Sequence, residues 1–393
     1  MTGSDSQSGL DPTSSRPASS SNASGNPAVW PISLLMVTAR YTPEIGGTEI
    51  HTKELAERLV QRGHRVTVLT TDRSGTLPSS EIRSGVRIQR VRAWPRTADY
   101  YFAPGILRAW GSDRFDLIHV QGIHTFVAPL GMAAALTHRL PFVMAFHSGG
   151  HSSRWRRAIR RPQILALSPL LKQARRLIAN SDHELAYFQS HLHIPGPKYA
   201  VVPVGSNLDV ITEAEPEGDG STLILSVGRL EQYKGHYQLI EAWPAILESI
   251  PNGRLRIVGE GPGRQDLLSL IARLAIGDSV EIGPIPTHRR SQLGGLMKRA
   301  ALVVSLSTFE SAGMAIREAM ALGTPALITN IPGFNDLIGR PLVSVLPVAC
   351  TAAQVSAGVV SAVRSRLVAD PAPMPTWEQC VDAFEEIYRA ALG

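Results

Sequence analysis

At 393 residues, with 34 Gly and 28 Pro as punctuation, the chain has room for two globular domains and is too long for one ordinary core. Its two cysteines, Cys350 and Cys380, exclude a disulfide framework and a Cys-type metal site and suit a reducing cytoplasm. The formal charge of +6 is uneven: residues 31–206 carry 23 Lys and Arg against 11 Asp and Glu, while 207–393 carry 15 against 20, which points to an anionic surface, polymer or lipid near the first half.

Residues 1–29 are rich in Ser, Gly, Asn and Pro, hold little to bury and read as a disordered tail. They lack the basic segment and apolar core of a secretory signal. From Trp30 short apolar runs alternate with helix-length amphipathic segments. "ISLLMVTA" reads as a buried parallel strand. "GGTEIHTKELAERLVQRGH" reads as a helix with Ile50, Leu55, Leu59 and Val60 inward and Gly63 at its stop. In the connection "TPEIGGTE", Gly46 and Gly47 either let the backbone approach an anionic ligand or make a tight turn. "RVTVLTT", "VRIQRVR", "FDLIHV", "PFVMAFH", "RLIANS" and "YAVVPVG" are further strands, so 30–206 reads as a doubly wound parallel sheet. The most apolar window, 128–146, is broken by His138, Arg139 and Pro141 and reads as a helix and a strand rather than a membrane span.

"FHSGGHSSRWRRAIRR" places His147 at the carboxyl end of a strand, where it faces a cleft. His151 follows, but no third zinc ligand is evident. Arg154, Arg156, Arg157, Arg160 and Arg161, with Trp155, form the densest basic cluster. It reads either as a contact with an anionic membrane or acceptor, or as a solvated helix face. No module for reading nucleic acid accompanies it.

Acidic residues with Gly and Pro mark 207–221 as a linker into a second domain of the same class, 207–372. Its strands are "TLILSVG", "RLRIVG", "SVEIG", "ALVVSLS" and "PALIT". "SVGRLEQYKG" sets Arg229 and Lys234 just past a strand, either gripping a diphosphate or lying as surface charges. "VGEGPGR" matches neither the Walker pattern nor a dinucleotide fingerprint. In "STFESAGMAIREAMALGTP" a helix opening at Gly313 offers the N–H groups of 313–315 to a diphosphate or a sugar hydroxyl. Glu310 and Glu318 lie within about 12 Å by helical rise. They serve two sugars of one ligand, or are acidic residues on a solvated helix. A final helix, within 373–393, follows the Pro-rich break "DPAPMP". Two such domains facing each other make a cleft at the carboxyl ends of their strands.

Together these pieces resemble a family 4 retaining glycosyltransferase of the GT-B fold, the two-domain group that includes sucrose synthase-like and phosphatidylinositol mannosyltransferase-like enzymes. The ordered set is "PEIGGTE", "FDLIHVQG", "FHSGG", "ANSDHE", "VPVGSNLD", "SVGRLEQYKG", "VGEGP" and "FESAGMAIREAMALGTPALIT". The resemblance implies that Arg229 and Lys234 take the donor diphosphate with the N–H groups of Gly313, Met314 and Ala315. It places Glu318 on the ribose, Glu310 on the transferred sugar, and Gly283, Pro284 and Ile285 at the base, with Gly259 nearby. Gly46 and Gly47 then form the opposite wall, and His147 lies near the reacting carbon. It implies no metal ion and no cofactor, the substrate being a nucleotide sugar, with a UDP-sugar preferred to GDP-mannose. The last helix, from Trp377, crosses back to the first domain. The expected acceptor is a lipid-linked or polysaccharide glycan at the cytoplasmic membrane face. A soluble acceptor and a non-catalytic sugar-nucleotide-binding subunit are the alternatives. The chain departs from the family pattern at Asp336, where Glu is common, and lacks the Asn-Gly just beyond.

Overall fold

The computed structural model describes residues 30–44, 46–95, 101–110, 114–147, 154–206, 220–286, 289–365 and 374–393, with the backbone alone over 154–157. The expected tail at 1–29, most of the linker, His151 and the side chains of Arg154, Trp155, Arg156 and Arg157 lie outside the described residues.

The first sheet contains β1 (Ser33–Thr38), β2 (Arg65–Asp72), β3 (Ser80–Arg83), β4 (Val86–Arg92), β5 (Leu117–Gln121), β6 (Phe142–Ala145), β7 (Arg176–Ala179) and β8 (Tyr199–Val201). Their order is β3-β4-β2-β1-β5-β6-β7-β8. The inner strands β1, β5 and β6 are buried along their whole length, the condition that makes a parallel strand an apolar run. Helices α1 (Gly47–Gln61), α2 (Val127–Thr137), α3 (Arg154–Leu171) and α4 (Asp182–His191) cover the faces. One departure from the sequence reading is β3, which pairs antiparallel with β4, Glu81 opposite Ile88. It is a short edge strand with Ile82 70% exposed, so no inward-outward alternation marks it. Helix α3 continues through Pro162 and Pro169.

The second sheet holds β9 (Thr222–Val227), β10 (Gly253–Val258), β11 (Val280–Gly283), β12 (Leu302–Ser305), β13 (Ala326–Thr329) and β14 (Val343–Leu346). All are parallel, in the order β11-β10-β9-β12-β13-β14. Around it lie α5 (His236–Ser249), α6 (Arg264–Arg273), α7 (Arg290–Arg299), α8 (Met314–Ala321) and α9 (Ala352–Arg364). Each sheet reverses its strand order once, between β1 and β5 and between β9 and β12. The loops leaving such a pair diverge and open a crevice beyond the strand ends.

The last helix, α10 (Trp377–Leu392), belongs to the first sheet's core although it follows the second sheet in the chain. A capping box between Thr376 and Gln379 starts it. Trp377, Val381, Phe384 and Tyr388 pack with Leu34, Met36, Leu55 and Leu59. Full burial of such side chains contributes about 1.5–3 kcal/mol each. Tyr388 Oη lies 2.7 Å from His119 Nδ1, and Arg62 reaches Glu378 and Asp382 at 2.6 and 2.5 Å. Gly205 makes room for the helix start: a Cβ there would sit 2.6 Å from Trp377 Cα.

Candidate active site

A cleft of about 490 Å³ lies between the carboxyl ends of the two sheets. From the second domain, the turn after β9 brings in Arg229 and Lys234. Gly235 closes that turn in the left-handed region at φ 79, and a Cβ there would meet the Leu306 carbonyl at 2.3 Å. His236 fixes the turn from below. Its Nε2–H donates to the Arg229 carbonyl at 3.2 Å, and its Nδ1 lies 3.1 Å from Ser226 Oγ. Burial lowers its pKa to about 4, so the ring is neutral at pH 7.

Lys234 Nζ lies 2.6 Å from Glu310 Oε1, and Ser307 Oγ donates to the same oxygen at 2.8 Å. Arg229 Nη2 lies 3.1 Å from Glu231 Oε1, with its side chain 43% exposed. One cation is therefore held in the cleft and the other stands at its edge. Gly313, at φ 59, caps α8, so the helix begins at Met314 with its first N–H groups toward the opening. Phe334 fills the space under Gly313; a Cβ would come within 2.2 Å of its ring.

The first domain supplies the facing wall. Gly46, Gly47, Gln121, His147, Asn180 and Arg160 all border the cleft. A Cβ on Gly47 would meet nothing within 4 Å, whereas one on Gly46 would strike Glu49. Glu49 itself is buried and bonded to Arg40 Nε at 2.5 Å. His147 adopts φ 45 and uses both ring nitrogens, Nε2 with Gln121 and Nδ1 with Asn180 at 3.0 Å. Burial lowers its pKa to about 4. Contacts that bridge the domains here include Ser181 Oγ, which donates to the Ser311 carbonyl at 2.8 Å, and the Arg160 guanidinium, which lies 5.7 Å from the centre of the Phe309 ring.

Other expected residues lie away from this lining. Glu318 is 2% exposed and ion-paired with Arg290 of α7. Burial raises its carboxyl pKa, and Arg290 works against that rise. Gly259 packs on the backbone of Gly228, where a Cβ would meet the carbonyl at 1.9 Å. Gly283 ends β11, and Ile285, beyond Pro284, borders a separate groove with Arg254 and Arg256. Arg161 is exposed. Asp336 takes both terminal nitrogens of Arg317, at 2.7 and 2.8 Å. Among the described residues, no three His, Cys, Asp or Glu are grouped so as to hold a metal ion, and no helix is long and apolar enough to cross a membrane.

Sequence reasoning missed Arg290, Gln121, Asn180, His51 and Glu231. Arg290 meets Glu318 across 28 residues, and Gln121 meets His147 across 26. The first arises from how α7 meets α8 and the second from strand order, so neither leaves a local spacing to read.

The sequence pattern of Glycosyltransferase Family 4 matches residues 45–210, and that of Glycosyl transferases group 1 matches 209–366. An uncharacterized glycosyltransferase of Methanocaldococcus jannaschii is 31% identical, over 78% of this chain and 82% of its own. The D-inositol 3-phosphate glycosyltransferase of Nocardiopsis dassonvillei is 29% identical, over 90% and 91%. The GDP-mannose:cellobiosyl-diphosphopolyprenol alpha-mannosyltransferase of Komagataeibacter xylinus is 27% identical, over 92% and 94%. Among solved structures, sucrose-phosphate synthase from Thermosynechococcus elongatus superposes with a TM-score of 0.70 at 21% identity, covering 91% of this chain and 98% of that one. Two facing parallel-sheet domains with these motif loops at their strand ends are the GT-B arrangement, and the chain belongs to the family 4, group 1 glycosyltransferases.

Proposed function

We propose that this glycosyltransferase moves a hexose from a nucleoside diphosphate sugar to an acceptor hydroxyl, with retention at the anomeric carbon and without a metal ion. The observation that carries the reading is the placement of Arg229, Lys234 and the start of α8 opposite Gly47 and His147 in one cleft. In this reading the bond from C1 to the diphosphate oxygen breaks as the acceptor oxygen bonds to C1 on the same face. The acceptor's proton passes to a phosphate oxygen of the leaving group. Arg229 and Lys234 neutralise the charge that develops there, helped by the N–H groups of Gly313, Met314 and Ala315. Glu310 receives hydroxyls of the transferred sugar, and Glu318 receives the ribose once Arg290 turns from it. Gly259 and Gly283 to Ile285 flank the base.

A UDP-sugar is our first choice of donor and GDP-mannose the second. Two of the relatives are named for phosphate-bearing acceptors, a D-inositol 3-phosphate and a diphosphopolyprenol. Our reading is a lipid-linked or polysaccharide acceptor met at an anionic, cytoplasmic membrane face. The basic excess of residues 31–206 and the arginines around Arg160 support it. A small soluble acceptor is the second reading, favoured by the inositol-phosphate relative.

The test is release of nucleoside diphosphate from a panel of UDP-, GDP- and ADP-sugars by the purified protein, with and without anionic vesicles. Turnover or slow hydrolysis of one donor is expected. No release and no thermal stabilisation by any donor would overturn the reading. Sedimentation with vesicles that ignores their anionic-lipid content would remove the membrane part alone, and an inverted anomeric signal in the product would remove retention alone.

A further inference from the structure

Three neighbouring strands of the first sheet, β5, β6 and β7, end side by side at the floor of the cleft. Gln121 is the last residue of β5, His147 lies two residues beyond β6, and Asn180 follows β7 directly. Their side chains form a row. Gln121 presents Oε1 to His147 Nε2, and Asn180 presents Nδ2 to His147 Nδ1 at 3.0 Å. An amide oxygen only accepts and an amide nitrogen only donates. With the two amides in this orientation the imidazole proton sits on Nε2 and Nδ1 receives, while Gln121 Nε2 and Asn180 Oδ1 are buried with no hydrogen-bond partner among the described residues. The row is anchored in turn: the Asn180 backbone N–H donates to Glu184 Oε2 at 2.7 Å. Behind it the His51 ring lies 4.7 Å from that of His147, and neither His51 nitrogen has a hydrogen-bond partner among the described residues.

We propose that Gln121 and Asn180 are positioning residues that fix His147 as a neutral Nε2–H ring with both nitrogens occupied, so that it shapes the sugar site without taking or giving a proton. The inference rests on the transferase reading above and deepens it. A ring with no spare nitrogen leaves the acceptor's proton to the departing diphosphate. A positive imidazolium beside the forming oxocarbenium-like centre would oppose the charge that develops there. The groups facing His147 keep it neutral or leave it so. His51 from α1 and His119 from β5 are buried rings whose pKa values burial also lowers. Glu184 of α4 is engaged with Asn180. Arg160 of α3 borders the cleft beside Phe309, and Lys234 across it is paired with Glu310.

The experiment is nitrogen NMR of the full chain labelled in its 12 histidines, with His147 assigned by the signals that His147→Asn removes. The expected result is the neutral Nε2–H pattern from about pH 8 down to about pH 5.5. Gln121→Glu puts a carboxylate on Nε2–H and is expected to raise the ring's titration by about 1–3 pH units. Donor turnover then falls as the pH drops through the new midpoint, a limb the wild type lacks. Asn180→Asp, placing an acceptor at Nδ1, should raise the titration in the same way. A charged ring or an Nδ1–H tautomer in the wild type at pH 7 overturns the proposal, and so does a wild-type titration in both variants. If neither variant folds, the wild-type spectrum decides alone. That spectrum needs no substrate, so a protein that turned over no donor would lose the transferase reading while this one was still judged separately.

Discussion

Lys234 meets the cleft with its charge already answered, by Glu310 at 2.6 Å and, through that carboxylate, by Ser307. An ammonium has three donors, so it can hold Glu310 and still present a proton to a phosphate oxygen. Removing it takes charge from the leaving group and strands a half-buried carboxylate. Lys234→Met is therefore expected to lower kcat/KM about 10²–10³-fold, the usual cost of one preorganised electrostatic contact, with a folded far-UV spectrum. Steady-state kinetics on the donor found above checks it; a change under about threefold would place Lys234 outside the diphosphate site. Arg229 differs in kind. Its fork stands at the edge beside Glu231, where a planar bidentate grip matters more than a point charge, so a lysine there would not serve as a conservative exchange.

The glycines of the two walls separate structural from ligand-facing roles at the scale of the element. Gly313 holds the left-handed conformation that starts α8, and Phe334 occupies the space a methyl would need. Gly313→Ala is expected to cost about 1–3 kcal/mol of stability through the backbone alone and to raise the donor KM. Gly47→Ala meets open space, so its melting temperature should match the wild type while donor affinity falls. Equal donor affinity would remove Gly47 from the ligand's wall. Much of this layer was legible beforehand. Strands such as β1 and β12 are apolar runs because both faces are covered, and the turn chemistry after β9 and before α8 is local. What was not legible has a physical reason in each case. β3 is an exposed edge with no alternation, β14 is only partly buried, and the Gln121–His147–Asn180 row exists only because three strand ends are neighbours. The burial of Glu318 against Arg290 likewise depends on how α7 meets α8.

For the whole molecule, four of the buried imidazoles set a pH window. His51, His119, His147 and His236 all have pKa values pushed below 6.5 by burial. Near 6.5 the unfolded chain takes up protons that the folded one refuses, so this contribution is complete above 6.5 and declines as pH falls. Each ring withdraws about 1.4 kcal/mol per pH unit until its folded value is reached. Glu318, raised by burial, works in the opposite sense. Calorimetry should find a clearly lower Tm at about pH 5 than at about pH 7.5, and an unchanged Tm would overturn the account. His119 also ties this window to α10 through Tyr388, 269 residues away. That separation bears on synthesis. The first sheet's last strand ends at Val201 and the sealing helix at Leu392, so at about 5–20 residues per second the hydrophobic trough waits roughly 10–40 s during synthesis for the helix that seals it. During that interval the second sheet has time to form, and the nascent first half offers a greasy surface on which holdase chaperones can dwell.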